Sequence, residues 1–196
     1  MTENKKTKKS LITKSKLLNA VETVLIDKGF TELTVNTICE ASQVDKKLVY
    51  FHFGDLKGLQ NEYLRKYDFW ESKRKIPEEV NKEKVKEILT DQLASIHEKD
   101  LLKRLLVWEL SEGDEALKKV AYDRQKNMCK MIDKFVNQHN FKMDVPPLLA
   151  LMIGGLHYLS IYPTEKENKF YGIDMNRKTD RKRMVSTIKR LIKQIE

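Results

Sequence analysis

Apolar residues recur at three- and four-residue spacing along almost the whole chain, and no stretch alternates with period two for long enough to make a convincing strand. That periodicity restricts the chain to an all-α fold. Only 7 Gly and 4 Pro occur in 196 residues, too few breakers for the many tight turns of a β-sandwich or barrel. Leu17, Val21, Val24 and Leu25 form one stripe that ends at Gly29, a natural glycine for a helix C-terminus. Thr34 is placed to N-cap a short helix through about Ser42, with Val35 and Ile38 inward. Asp45 is placed to N-cap a third helix, in which Val49 and Phe53 share a face. A fourth is expected from near Asp55 to about Lys75, carrying Leu59, Tyr63, Tyr67 and Trp70. After Pro77 the spacing predicts helices at roughly 82–98, 101–112, 114–139, 146–161 and 180–196, with 162–179 as the longest irregular stretch.

Charge is distributed unevenly. The 38 Lys+Arg and 29 Asp+Glu leave a net charge of +9, which suits an acidic partner such as nucleic acid without identifying one. Six lysines fall in residues 1–16 against Glu3 alone, and without an apolar face residues 1–13 read as a flexible basic arm. Residues 17–60 hold four basic and six acidic residues, a net of −2. Arg177 to Lys193 holds eight Lys/Arg against Asp180, read as the solvated face of the last helix. The N-terminus lacks the apolar core of a signal peptide, and the 14-residue apolar run Leu148–Ile161 is too short to span a bilayer, so no membrane association is expected. Cys39 and Cys129 lie far from each other and from any histidine at ligand spacing, which predicts neither a metal site nor a disulfide. No glycine-rich phosphate loop or nucleophile–base pairing appears, so no catalytic residue, cofactor or metal is expected and the cytoplasm is the expected location.

The short helices carry the functional signal. Helix two and helix three are separated by Gln43-Val44, which is helix-turn-helix spacing. Helix three presents Lys46, Lys47 and Tyr50 together, because i, i+3 and i+4 positions share a face. In this motif the recognition helix points its N-terminal residues into the major groove, and a helix N-terminus also favours a phosphate. The string Leu17…Ala20-Val21…Val24-Leu25…Gly29-Phe30…Thr34-Val35…Ile38…Ala41…Val44…Tyr50-Phe51-His52-Phe53…Leu59 resembles the tetracycline-repressor-like (TetR) transcription regulators over about residues 14–64. The resemblance implies that Asn36 and Thr37 approach double-stranded DNA from helix two, that Lys46 and Lys47 read bases or nearby phosphates, and that Tyr50 and His52 hold the backbone. Three positions depart from that pattern. Gln43 stands where the turn usually has Gly; Leu48 replaces a phosphate-binding threonine; and Leu56 replaces a lysine, with Lys57 one position later. Leu48 is left either to touch a thymine methyl or to pack against a neighbouring helix.

The chain then divides into the arm at 1–13, a helix-turn-helix DNA-binding domain at 14–61 and a helical effector-binding and dimerisation domain at 62–196. Family resemblance implies that this larger domain dimerises and holds an effector that changes the spacing of two DNA-reading heads. Met184, Ile188, Leu191 and Ile195 make a heptad-like stripe, and Gly154-Gly155 weakens its own helix in a way that close helix–helix approach would excuse. These residues are the expected homodimer interface. Trp70, Trp108, Tyr122, Met128, Met131, Met152, His157 and Tyr158 are the expected lining of a deformable pocket for an apolar or amphipathic effector. The expected function is an effector-responsive transcriptional regulator, a repressor reading a palindromic operator as a homodimer. The alternative is a constitutive DNA-binding or architectural protein with no small-molecule effector.

Overall fold

A computed structural model describes residues 2–66, 75–113, 115–162 and 169–196. The helices among these residues are α1 (Thr2–Lys28), α2 (Val35–Ser42), α3 (Lys46–Phe53), α4 (Leu56–Lys66), α5 (Lys82–Glu98), α6 (Asp100–Ser111), α7 (Glu115–Asn137), α8 (Val145–Ile161) and α9 (Lys178–Lys193). A 3-10 turn at Phe30–Glu32 joins α1 to α2, and among the described residues the single pairing of extended backbone is between Phe170 and Ile173. The all-α expectation is met. The segment read as an arm is drawn as the first turns of α1. None of the helices is long and apolar enough to cross a membrane.

The chain forms two compact units: Met1–Trp70 with Val107–Tyr122, and Glu71–Leu106 with Asp123–Glu196. The first therefore contains the end of α6 and the start of α7. In this unit Leu17, Val21, Val24 and Leu25 are fully or almost fully buried on one side of α1, which packs against α2 and α4. Each such aliphatic side chain contributes about 1.5–3 kcal/mol on leaving water. Leu59, Tyr63 and Leu64 supply the matching face of α4, and the buried Tyr63 hydroxyl donates to Glu22 of α1 at 3.2 Å.

The second unit has its own core, built from Val85, Leu89 and Leu93 of α5, Met131 and Phe135 of α7, Val145, Leu149 and Leu156 of α8, and Ile188 and Ile192 of α9. The α5 helix lies against both α8 and α9, and the Lys82 ammonium at its start donates to the Lys193 and Ile195 carbonyls. Between α5 and α8 the Gln92 amide nitrogen lies 2.8 Å from His157 Nε2. Burial, with the Arg124 charge adding to it, lowers the His157 pKa to about 4.

The native chain thus refuses a proton that the unfolded chain accepts below about pH 6.5. His157 contributes stability that is fully present above pH 6.5 and is lost as the pH falls toward 4. Replacing it with a group that does not titrate should remove that part of the acid sensitivity. Urea unfolding at pH 7 and pH 4.5 should show His157→Gln losing about 2 kcal/mol less than the unaltered chain across that interval. Equal losses would show that His157 is protonated in the native state.

Candidate nucleic-acid interface

The helix-turn-helix is assembled from caps and one close approach. Thr34 caps α2: its hydroxyl accepts from Thr37 N–H at 3.2 Å, and the Thr37 hydroxyl accepts from Thr34 N–H at 3.1 Å. The Thr37 hydroxyl also donates to the Glu32 carbonyl at 2.6 Å. Thr37 therefore serves the start of α2, while Asn36 beside it is exposed. The turn from α2 to α3 passes through Gln43 at φ 55°, ψ 36°, the left-handed conformation that costs a residue with a Cβ about 1–2 kcal/mol. Its side chain gives part of this back by donating to the Glu40 carbonyl at 2.8 Å, which covers an otherwise open helix-end carbonyl.

Asp45 then caps α3, with Oδ1 accepting from Lys47 N–H at 2.7 Å. Val49 fixes the inward side of the helix at full burial, so Lys46, Lys47, Leu48, Tyr50 and Phe51 all remain exposed. His52 is half-buried on the flank. Burial first, and the Lys14 ammonium second, hold its pKa below the ordinary histidine value. The same Lys14 ammonium stands over the Phe53 ring, 5.7 Å from its centroid. Gly54 ends α3 at φ 81°, its N–H donating to the Tyr50 carbonyl at 2.9 Å.

Gly58 sets how closely α4 follows. A Cβ at this position would stand 2.0 Å from the Phe53 carbonyl oxygen, and its N–H donates to Asp55 Oδ1 at 2.6 Å. Lys57, one residue earlier, is exposed and lies 3.9 Å from Glu112. The Glu112 carboxylate also accepts from the indole N–H of the fully buried Trp108 at 3.0 Å. So screened a pair is worth about 0–1 kcal/mol.

The head gathers Lys46, Lys47 and Tyr50 on one exposed surface, as their spacing predicts. Thr37 is drawn into the cap. Phe51 is the residue that sequence reasoning left out, although its i+4 relation to Lys47 already places the two on one side of the helix. The residues assigned to a pocket are divided between the two units. Trp108 and Tyr122 belong to the first unit, where Trp108 is core and Tyr122 is exposed beneath the Lys119 ammonium. Met131 is core in the second unit, with Met128 and Met152 packed around that core, and His157 pairs with Gln92. Trp70 lies outside the described residues. Of the interface stripe, Ile188 and Ile195 are core in their own unit, Met184 is half-buried against that core, and Leu191 is half-buried. Gly154 and Gly155 are exposed, with nothing within 4 Å of an added Cβ. Among the described residues no group of three or more His, Cys, Asp or Glu could hold a metal ion.

Adding one methyl at Gly58 should force the Phe53 carbonyl, and with it the end of α3, to move. Gly58→Ala should cost at least about 2 kcal/mol in urea unfolding, the upper range for overpacking, while circular dichroism remains helical. An unchanged midpoint would show that α4 shifts without strain.

Residues 17–62 match the family described as bacterial regulatory proteins, tetR family. No curated protein matches the chain. Among solved structures, Salmonella enterica GusR is 16% identical, with a TM-score of 0.64 over 93% of this chain and 96% of that one. A transcriptional regulator (TerR/AcrR family) from Aquifex aeolicus VF5 is 17% identical, with a TM-score of 0.60 over 91% and 99%. NalD, the secondary repressor of the MexAB-OprM multidrug efflux pump in Pseudomonas aeruginosa, is 18% identical, with a TM-score of 0.53 over 93% and 96%. At these identities the likeness is one of fold. The head at residues 17–62 thus matches the tetR family of bacterial regulatory proteins, in a chain that shares its fold with these three solved structures.

Proposed function

We propose that this protein is an effector-responsive transcriptional repressor that binds a palindromic operator as a homodimer. The observation that carries the reading is the outward side of α3. Two lysines open a capped helix whose inward side is fixed by Val49, and the exposed Tyr50 lies beside them. Lysine and tyrosine suit phosphate oxygens, and lysines at the N-terminus of a recognition helix also reach base edges. Asn36 from α2 and Lys57 and His52 from the flanks complete the contact set. NalD's role as a repressor supports the same sign of regulation here.

Dimerisation rests on α8. Pro147, Leu151, Gly154 and Tyr158 follow one another at heptad-like spacing on its exposed side, with Leu151 at 76% exposure. Gly155 lies beside them, and the two glycines leave room for a second helix to approach closely. A two-fold partner pressing the same helix against this one buries both apolar surfaces at once. The interface thus centres on α8, with Met184 and Leu191 of α9 at its margin. The half-buried Gln92–His157 pair, in the same unit as Met128, Met131 and Met152, supports an apolar or amphipathic effector. Such a ligand regulates only by binding the DNA-competent and DNA-incompetent states unequally.

Operators selected from random duplexes should be palindromic, and Lys46→Ala with Lys47→Ala should weaken binding. Each phosphate-contacting lysine removed should lower the slope of affinity against salt by about one unit, and each lost base contact should cost about 1–3 kcal/mol. A folded double variant that binds unchanged would displace α3 as the reading helix. For the dimer, Leu151→Asp places a charge at the centre of the apolar stripe, and sedimentation at micromolar concentration should change from dimer to monomer. A monomer before substitution, or a dimer indifferent to it, would rule out this interface.

A further inference from the structure

We propose that Phe51, with Leu48 beside it, reads thymine by its methyl group, so that each operator half-site contains a thymine whose C5-methyl is a required contact. This inference rests on the DNA-reading role of α3 and adds the chemistry of the base that is read. Phe51 is 78% exposed, and the ring contact described for it is the edge of its neighbour His52, at 4.9 Å between centroids. On an α-helix Phe51 lies one turn beyond Lys47, and both stand nearly opposite the fully buried Val49. The crest of the outward face is thus Lys47 followed by Phe51, with Tyr50 on one shoulder and Leu48 on the other. Leu48, at 36% exposure, is open to solvent and does not serve as core.

A large apolar ring at the crest of an eight-residue helix contributes nothing to the interior, and its exposure to water is unfavourable. The lysines at positions 46 and 47 select a polyanion for the same surface. The major groove of duplex DNA meets both demands, because phosphates border it and the thymine methyl is the apolar group displayed on its floor. Phe51 and Leu48 distinguish thymine from cytosine by contact with that methyl, while the lysines and Tyr50 supply the polar contacts around it.

The test uses the full chain and an operator selected from random duplexes. Each thymine of a half-site is replaced in turn by deoxyuridine, which pairs identically and keeps every phosphate but lacks the methyl. At one or more positions the replacement should weaken binding about fourfold per half-site, the effect of one methyl-sized apolar group. The Phe51→Ala protein should bind the two duplexes equally at that position, with its salt slope unchanged, since no phosphate contact is lost. A uracil scan that finds no sensitive position in the unaltered protein overturns the inference, whether or not the variants fold. Sensitivity that persists undiminished in both Phe51→Ala and Leu48→Ala also overturns it and assigns the methyl contact to another residue. Selection that yields no bound duplex overturns the DNA-reading role itself, a result separate from specific binding that ignores the methyl.

Discussion

Burial of one side of α1 is the interaction on which the rest of the first unit depends. Leu17, Val21, Val24 and Leu25 are dry because α2 and α4 close over them, and these two helices bracket α3 in sequence. An eight-residue helix is too short to persist by its own hydrogen bonds. The α3 helix persists because Val49 is buried from below, Asp45 caps its start and Gly54 turns the chain away at its end. Gly58 then brings α4 against the Phe53 carbonyl with no room for a side chain. The position of the reading surface thus follows from the α1 stripe through a short series of contacts, each local enough to name.

Most of that series is legible in the sequence because it depends on periodicity and on cap residues. Thr34 and Asp45 are followed at once by α2 and α3, and the observed spans of α5 to α9 lie within a few residues of those predicted from apolar spacing. What pattern alone did not supply is which apolar side chains are shared between helices. The heptad-like stripe read from the last apolar segment has the form of an interface, yet Ile188 of α9 and Ile195 just beyond its end are buried in the core of their own unit. A stripe records that one side of a helix is covered without recording by what. The end of α6 and the start of α7 group with the head for a similar reason: Trp108 and Leu117 are buried, but nothing local says in which unit.

The polar exceptions follow a different logic. Thr37 has a residue type suited to phosphate, but its hydroxyl is held between the Thr34 backbone and the Glu32 carbonyl. Gln43 occupies a backbone conformation suited to glycine and partly offsets the strain through Glu40. In both cases the side chain is spent on local backbone groups, a choice decided by geometry within hydrogen-bonding distance and invisible to residue type. His157 is the buried counterpart, an ionisable group kept neutral by the apolar residues around it and given Gln92 as its polar neighbour.

The division of labour around α3 has an evolutionary consequence. Positions 49 and 58 answer to the interior, and at Gly58 even one added methyl has no space. Positions 46, 47, 48, 50 and 51 face outward, and substitutions away from packed sites usually change stability by less than about 0.5 kcal/mol. Substitutions at these five positions can therefore accumulate while the scaffold stays under separate, stricter selection. A lineage with this architecture can remake the outward side of α3 without passing through an unfolded intermediate ancestor.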